Sequence, residues 1–262
     1  MLAAFLTWKP GGVLYRRLIP SLLLRRGRLV KGVRYAAHRD AGNPATVTRA
    51  HNAQDADELL LLDIDAAREG RGPDVSAIAR VADECAMPLT VGGGIRDLAA
   101  AAACMAAGAD KLMITSAALD RPALIGEVAR VFGSQAVVVG VDVLGAAGHW
   151  RLYDHRAAGA VAGDVADWIT HVAGEGAGEI RLMAVEREGM RTGFDLDLLA
   201  LARELVRLPL VLEGGAGSLE HCDAALNAGA DAIALGTMLI FSDYNLVKIT
   251  RYLVSRGHRM CG

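Results

Sequence analysis

The chain has 262 residues, with 28 lysines and arginines, 30 aspartates and glutamates, and a formal net charge of −2. That balance gives no reason to expect nucleic acid or an anionic membrane as a partner. Hydrophobic residues make up 53% of the chain, which supports a large buried core, yet no apolar run reaches the roughly 18 residues of a membrane-spanning helix.

The first residues are mildly apolar but contain Lys9, Pro10 and paired glycines, a composition that is untypical of a signal peptide. We interpret residues 1–15 as a short leader and residues 16–262 as a single domain. The four cysteines lack the spacing of a metal site or a redox motif. The sequence therefore favours a cytoplasmic protein with reduced thiols and no bound metal.

From residue 17 onward, short apolar runs alternate with amphipathic stretches, which is typical of parallel strands joined by helices. Eight such units predict an α/β fold, a closed (β/α)8 barrel of the TIM type; an open, doubly wound sheet is the alternative. Two small hairpins, over 27–35 and 150–155, extend from the first and fifth strands. The predicted strands are 17–24, 58–64, 89–91, 111–114, 136–142, 179–185, 210–212 and 232–235. The predicted helices are 44–55, 74–84, 98–107, 122–132, 164–173, 196–206, 219–227 and 244–254.

An internal repeat favours the closed barrel. Gly93 and Gly214 begin similar segments, and Leu98, Asp110 and Ser116 recur with the same offset of 121 residues as Leu219, Asp231 and Thr237. An offset near half the chain length indicates a duplicated half-barrel. In each copy a glycine turn after a strand could bring backbone N–H groups close to a phosphate; the alternative is that the glycines only join strand to helix. The predicted phosphate-binding residues are Gly93, Gly94, Thr115, Ser116, Gly214, Gly215, Gly236 and Thr237.

Two carboxylates are candidates for proton transfer, because active sites in such barrels lie at the carboxyl ends of the strands. Asp142 closes the apolar fifth strand, and Glu188 follows the sixth. A carboxyl group in an apolar setting can have a raised pKa and act near neutral pH. The alternatives are a salt bridge or helix cap for Asp142 and a solvated loop charge for Glu188.

Charged residues also open four of the strands, at the opposite end of the barrel. Arg17, Glu58, Lys111 and Glu179 begin strands one, two, four and six. Two charges of each sign predict a ring across the barrel floor. Spacing alone leaves two interpretations open, a gate or a salt-bridged plug over the core.

Several motifs are spread over nearly the whole chain, at residues 29–32, 57–64, 90–96, 109–111, 132–135, 176–180 and 214–221. Together they resemble the cyclase subunit of imidazole glycerol phosphate synthase. The resemblance implies a (β/α)8 barrel docked on a glutamine amidotransferase, with no cofactor. Ammonia from that partner would pass through the barrel to a bis-phosphorylated substrate, which is split into imidazole glycerol phosphate and an aminoimidazole carboxamide ribotide in histidine biosynthesis.

The resemblance also implies roles for individual residues. Arg17, Glu58, Lys111 and Glu179 match the family's floor gate, which favours the gate interpretation. Asp110 matches a position that faces the partner subunit. Lys31 matches a lysine of a flexible loop near the substrate. Asp142 matches one of the family's two main catalytic aspartates.

The chain departs from the family pattern at the carboxyl ends of the strands. Leu23 stands where the second catalytic aspartate is expected, and a leucine cannot transfer a proton. The motif Asp-Arg-Asp-Gly-Thr becomes Glu-Arg-Glu-Gly-Met over 186–190, and Met183 and Ala184 replace hydroxyl residues. Glu213 replaces a small residue beside the second glycine turn, where we expect its charge to repel phosphate.

Three functions therefore remain open. The first is a synthase subunit with lyase and cyclase activity. The second, favoured by Leu23, Met183 and Glu213, is a non-cyclising subunit that relays ammonia for amidation of a surface-polysaccharide sugar, as in a similar branch of the family. The third is an isomerase of the related phosphoribosyl-aminoimidazole type, which the leucine at position 23 argues against because that chemistry needs an acid there.

Overall fold

A computed structural model describes residues 15–145 and 148–261. The predicted leader lies outside this part of the chain, except for Tyr15. The described residues form twelve strands and ten α-helices. The strands are β1 (Arg17–Arg25), β2 (Arg28–Val33), β3 (Ala36–Gly42), β4 (Leu59–Asp63), β5 (Leu89–Gly92), β6 (Lys111–Ile114), β7 (Val137–Leu144), β8 (Arg151–Asp154), β9 (Gly159–Ala160), β10 (Glu179–Ala184), β11 (Leu210–Glu213) and β12 (Ala232–Leu235). The helices are α1 (Pro44–Asn52), α2 (Val75–Ala82), α3 (Leu98–Ala106), α4 (Ser116–Asp120), α5 (Ala123–Phe132), α6 (Val165–Gly174), α7 (Leu196–Leu205), α8 (Leu219–Asn227), α9 (Thr237–Ile240) and α10 (Leu246–Ser255).

Eight parallel strands close into a barrel, as predicted. Their order is β1, β4, β5, β6, β7, β10, β11 and β12, and β12 pairs with β1 in parallel to complete the circle. The connecting helices lie outside, so each strand is buried on both faces and reads as a continuous apolar run. The open-sheet alternative is therefore wrong.

The core has two layers that follow from the alternation of side chains along each strand. Residues that point outward pack under the helices in the larger cluster. Residues that point inward form a second cluster inside the barrel, which includes Ile19, Leu23, Leu60, Leu62 and Met113. The barrel interior is thus a packed apolar column that carries charged residues at its two ends.

The repeat seen in the sequence is a repeat of structure. Strands β11 and β12 and helix α8 begin and end 121 residues after β5, β6 and α3. The register is repeated as well, since Val91 pairs with Leu112 and Leu212 pairs with Ile233. The half-barrel duplication therefore holds at the level of single strand pairs.

Some predicted boundaries were wrong. The first hairpin consists of β2 and β3 and continues to Gly42, beyond the predicted end at residue 35, because polar residues on a solvated hairpin carry no apolar alternation. Neither α4 nor α9 was predicted as a helix, since four or five residues are too few to show a helical period. Strand β10 ends at Ala184, where a 3₁₀ turn over Val185–Arg187 begins. In the described part of the chain, no helix is long and apolar enough to cross a membrane.

Candidate active site

The carboxyl ends of the strands surround a cavity of about 420 Å³. It lies over the first half of the barrel, and its walls include the first glycine turn, which we define as Gly93 and Gly94. The structure also brings several other predicted residues into this one cavity. These are Lys31, Thr115, Ser116, Asp142 and Glu188.

The equivalent space over the second half is almost closed. It measures about 20 Å³ and lies against the second glycine turn, Gly214 and Gly215, together with Gly236 and Thr237. A space of that size holds about one water molecule. The amine of Lys31 occupies the entrance, since a Cβ atom built on Gly236 would lie 2.8 Å from Nζ of Lys31. The two glycine turns are therefore alike in backbone but not in accessible space.

Both turns need glycine for steric reasons. Gly93 has φ +97° and Gly215 has φ +105°, values that L residues rarely adopt. A Cβ atom on Gly93 would overlap the carbonyl oxygen of Asp63, and one on Gly215 would overlap that of Gly193. The turns thus let the chain pass directly over a neighbouring backbone.

A buried arginine that sequence reasoning missed organises the upper end of the barrel. The Arg181 guanidinium donates to Asp142 at 2.5 Å and to Glu213 at 2.6 Å. Tyr35, at the tip of the first hairpin, donates its hydroxyl to the other oxygen of Asp142 at 2.9 Å. We call Tyr35, Asp142, Arg181 and Glu213 the upper network. The signal that could have found Arg181 is its spacing, because it lies two residues after Glu179 and must point into the same interior.

The pKa values in the upper network follow from burial and pairing. Burial raises the pKa of the Asp142 carboxyl, and Arg181 offsets only part of that effect. Burial also acts on Glu213, but Arg181 and Lys31 outweigh it and hold the Glu213 pKa below its ordinary value. Glu213 is therefore a paired carboxylate, which corrects the expectation that it stands as a free charge repelling phosphate.

Glu188 is buried and paired as well. Its carboxylate lies 2.5 Å from the Lys31 amine, and both side chains are almost fully buried. The backbone N–H of Arg34 donates to the Glu188 carbonyl at 3.0 Å, and that of Tyr35 donates to its carboxylate at 3.2 Å. The alternative of a solvated loop charge is wrong, because the first hairpin folds over this residue and excludes solvent.

Leu23 lies on the inner face of β1, only 7% exposed, among the apolar residues of the barrel interior. It pairs in register with Leu62 of the adjacent strand, and both side chains line the cavity. The wall at this point is hydrocarbon, so the position where the family pattern expects an acid offers no group for proton transfer.

Four arginines from loops line the other side of the cavity, and sequence reasoning had not singled them out. They are Arg71, Arg96, Arg121 and Arg156. Arg71 and Arg156 are paired with aspartates, and Arg121 is paired with a glutamate. Arg96 differs, since its hydrogen bond within the described residues goes to the carbonyl of Gly70. Arg96 is therefore the arginine on this side that forms no ion pair among the described residues, and it lies next to the first glycine turn.

The four predicted floor residues meet at the opposite end of the barrel, and we call them the floor ring. Arg17 donates to Glu58 at 2.6 Å and also contacts Glu179. Lys111 donates to Glu58 at 2.8 Å and to Glu179 at 3.0 Å. Each cation thus bridges both acids, and the ring is closed.

Pairing governs the charge states of the ring. Burial alone would raise the pKa of Glu179, but Arg17 and Lys111 outweigh it and hold the pKa below its ordinary value. Burial likewise opposes the charge of Lys111, yet Glu179 and Glu58 raise its pKa. Glu179 and Lys111 therefore stay charged near neutral pH.

Asp110, predicted to face a partner, accepts a hydrogen bond from the backbone N–H of Leu89 at 2.8 Å. Its repeat, Asp231, accepts from the N–H of Leu210 at 2.9 Å. Asp57 accepts from the N–H at the start of β1 at 2.7 Å. Each carboxylate ties the start of its own strand to the start of the preceding one, so Asp110 has a structural contact at the floor face.

Comparisons with known proteins identify relatives that match nearly the whole chain. Residues 17–245 match the family described as histidine biosynthesis protein. The imidazole glycerol phosphate synthase subunit HisF of Exiguobacterium sibiricum is 40% identical over 245 residues, which cover 94% of this chain and 98% of that protein. The HisF subunit of Gluconacetobacter diazotrophicus is 41% identical, with 92% and 94% covered, and that of a Nocardioides species is 38% identical, with 92% and 97% covered. The chain therefore belongs to the histidine biosynthesis protein family, among the relatives of the HisF subunit of imidazole glycerol phosphate synthase.

Proposed function

We propose that this barrel receives ammonia from a glutamine amidotransferase bound at its floor face and passes it upward through the floor ring. The observation that carries the proposal is the ring itself, in which Arg17 and Lys111 each bridge Glu58 and Glu179. Four charges at the mouth of an apolar column form a polar entry to an interior that excludes larger solutes. Kinship with HisF subunits supports the same role.

The upper end of the barrel favours relay of ammonia over cyclisation. Proton transfer by one positioned group contributes about 10²–10⁴-fold to a rate. Leu23 supplies no such group, and Arg181 holds the Asp142 carboxylate in an ion pair. Pairing with Arg181 lowers the basicity that burial gives Asp142 and occupies one of its oxygens, so the chemistry of ring closure has lost one group and is hindered at the other.

The synthase activity of the family remains a second candidate because two observations favour it. Asp142 is present at the end of β7 with a raised pKa, which suits a general acid. The first glycine turn also opens into a cavity large enough for a phosphorylated substrate. In this alternative the same barrel is a lyase and cyclase that acts on the bis-phosphorylated family substrate, with Asp142 and Glu188 as the catalytic pair.

Turnover separates the two candidates. The purified chain is given the family substrate with ammonium salts, and formation of imidazole glycerol phosphate is followed. We expect no turnover from the native chain and partial recovery in a variant combining Leu23→Asp, Arg181→Leu and Glu213→Ser, which supplies the acid and frees Asp142. Turnover by the native chain at a rate typical of enzymes, about 1 s⁻¹ or more, would establish the synthase alternative.

Docking of the partner at the floor face is tested separately. Gln135 and Arg207 are exposed in loops beside the floor, and we expect Gln135→Trp combined with Arg207→Glu to weaken binding of a glutamine amidotransferase subunit at least tenfold by calorimetry. Arg28→Glu is the matched control, since Arg28 is an exposed arginine of the first hairpin at the other end. An unchanged Kd for the floor variant would exclude docking on this face.

A further inference from the structure

The two halves of the barrel offer unequal space for a ligand, although their backbones repeat. The first glycine turn opens into a cavity of about 420 Å³. The second faces about 20 Å³, which is too little for a phosphate group. A ligand can therefore place an anionic group at the first turn, whereas the second has no room for one.

The charged side chains are also distributed unequally between the two halves. On the first side, Arg71, Arg96, Arg121 and Arg156 face the cavity together with two aspartates, Asp63 and Asp120. On the second side, Lys31, Glu188 and Glu213 lie between the open cavity and the closed space and border both. Arg96 can pair with an anion on the first side because it forms no ion pair among the described residues, whereas Lys31 is already paired with Glu188.

The second half is held shut by the first hairpin rather than by a loose side chain. Lys31 is committed to Glu188 at 2.5 Å. The N–H groups of Arg34 and Tyr35 bind the same glutamate, and the Tyr35 hydroxyl binds Asp142. A Cβ atom on Gly189 would lie 2.8 Å from the carbonyl oxygen of Gly32, so the hairpin and the loop after β10 are in close contact. Opening this half would break all these contacts together.

Part of the remaining wall of the cavity is apolar. Leu23, Leu62, Ile64 and Met113 line it between the first glycine turn and the upper network. Hydrocarbon at this place binds the uncharged body of a ligand and offers nothing to a second phosphate.

We infer that the barrel binds a ligand with a single phosphate group and an uncharged, largely apolar body, with the phosphate at the first glycine turn beside Arg96 and the Lys31–Glu188 pair standing in place of a second phosphate. The inference builds on the proposal that the cavity binds a phosphorylated molecule. It is independent of how ammonia is handled, because it concerns binding alone.

Calorimetric titration of the full chain tests it with four probes, namely inorganic phosphate, phenyl phosphate, fructose 6-phosphate and fructose 1,6-bisphosphate. We expect one site per barrel and phenyl phosphate at least tenfold tighter than inorganic phosphate. We also expect the bisphosphate to bind no tighter than the monophosphate, because its second group finds no partner.

Two variants locate the phosphate. Arg96→Met is expected to weaken phenyl phosphate binding at least tenfold, while the matched control Arg80→Met, at an exposed position of α2, leaves the affinity unchanged. Glu188→Gln removes the partner of Lys31 and is expected to improve binding of the bisphosphate selectively.

Different binding results would overturn different parts of the inference. Two phosphate ions per native barrel, or a bisphosphate at least tenfold tighter than the monophosphate, would overturn the single-phosphate inference while leaving the proposed phosphorylated ligand intact. Full affinity in Arg96→Met would overturn the placement of the phosphate. Failure of every phosphate ester to bind would overturn the inference and the phosphorylated substrate of the synthase candidate, and would leave the proposed relay of ammonia standing.

Discussion

Replacing Arg181 by leucine is expected to destabilise the barrel strongly. The guanidinium is 3% exposed and is the cation that donates to both Asp142 and Glu213. Removing one partner of a buried ion pair leaves an uncompensated charge and costs about 3–5 kcal/mol. Since domains are stable by about 5–15 kcal/mol, Arg181→Leu should lose a fifth or more of the free energy of unfolding at pH 8.

The loss should depend on pH in a definite direction. Without Arg181, burial dominates and the pKa values of both carboxyls in the folded state rise above their unfolded values. A group with a raised folded pKa stabilises the fold at low pH, and this contribution is lost as pH rises through the folded pKa. Arg181→Leu should therefore cost less at pH 5, where the carboxyls take up protons, than at pH 8.

Urea unfolding at the two pH values measures both quantities. Arg28→Leu is the matched control because Arg28 pairs with Asp40 on the exposed hairpin, and we expect it to change the midpoint little at either pH. Arg181→Leu combined with Glu213→Leu should recover part of the loss, since an apolar replacement of a buried pair is often neutral. A cost below about 1 kcal/mol at pH 8, or the same cost at pH 5, would refute the upper network as a stabilising charge cluster.

Two further predictions concern single residues. His51 is buried without a hydrogen-bond partner among the described residues, and burial lowers its pKa from 6.5 to about 4. The free energy of unfolding should therefore fall by up to about 3 kcal/mol between pH 7 and pH 4. The urea midpoints of His51→Leu should lack this part of the decline. Gly215→Ala should lower the melting temperature more than Gly27→Ala. Both glycines have positive φ, but the added methyl group at 215 overlaps the carbonyl of Gly193, whereas a methyl group at 27 contacts no atom of the described residues. Equal shifts in calorimetry would show that the turn can relax.

The fold was readable from the sequence because its signals are local and repeated. The predicted strands 111–114 and 232–235 and the predicted helix 219–227 have the observed boundaries. Each is bounded by an aspartate, glycine or serine that caps or ends the element, as Ser218 does by accepting from the N–H of His221. The internal repeat then indicated that the sheet closes into a barrel, which no single strand or helix indicates.

The site was readable only in part. Strand-end positions brought the first glycine turn, Asp142 and Glu188 into one cavity, because the architecture alone fixes where strand ends meet. The contacts of Arg181 and Tyr35 were out of reach, since one is hidden in an apolar run and the other depends on how a hairpin folds over a distant loop. The unequal space at the two turns has the same origin, because the residues that close the second half come from β2 and from the loop after β10.

The hydrogen bonds from aspartates to strand starts have a consequence for the way the barrel is assembled. Asp57 ties β1 to β4, Asp110 ties β5 to β6, and Asp231 ties β11 to β12. Each bond joins the two strands of one quarter-barrel, and none of the three joins one quarter to the next. Gly178 occupies the equivalent position in the remaining quarter, between β7 and β10, and has no side chain that could accept a hydrogen bond from the preceding strand. Three quarter-barrels thus carry a side-chain register lock, whereas β7 and β10 of the fourth are aligned by their own backbone pairing and by the bond from the Gly178 N–H to the Val137 carbonyl.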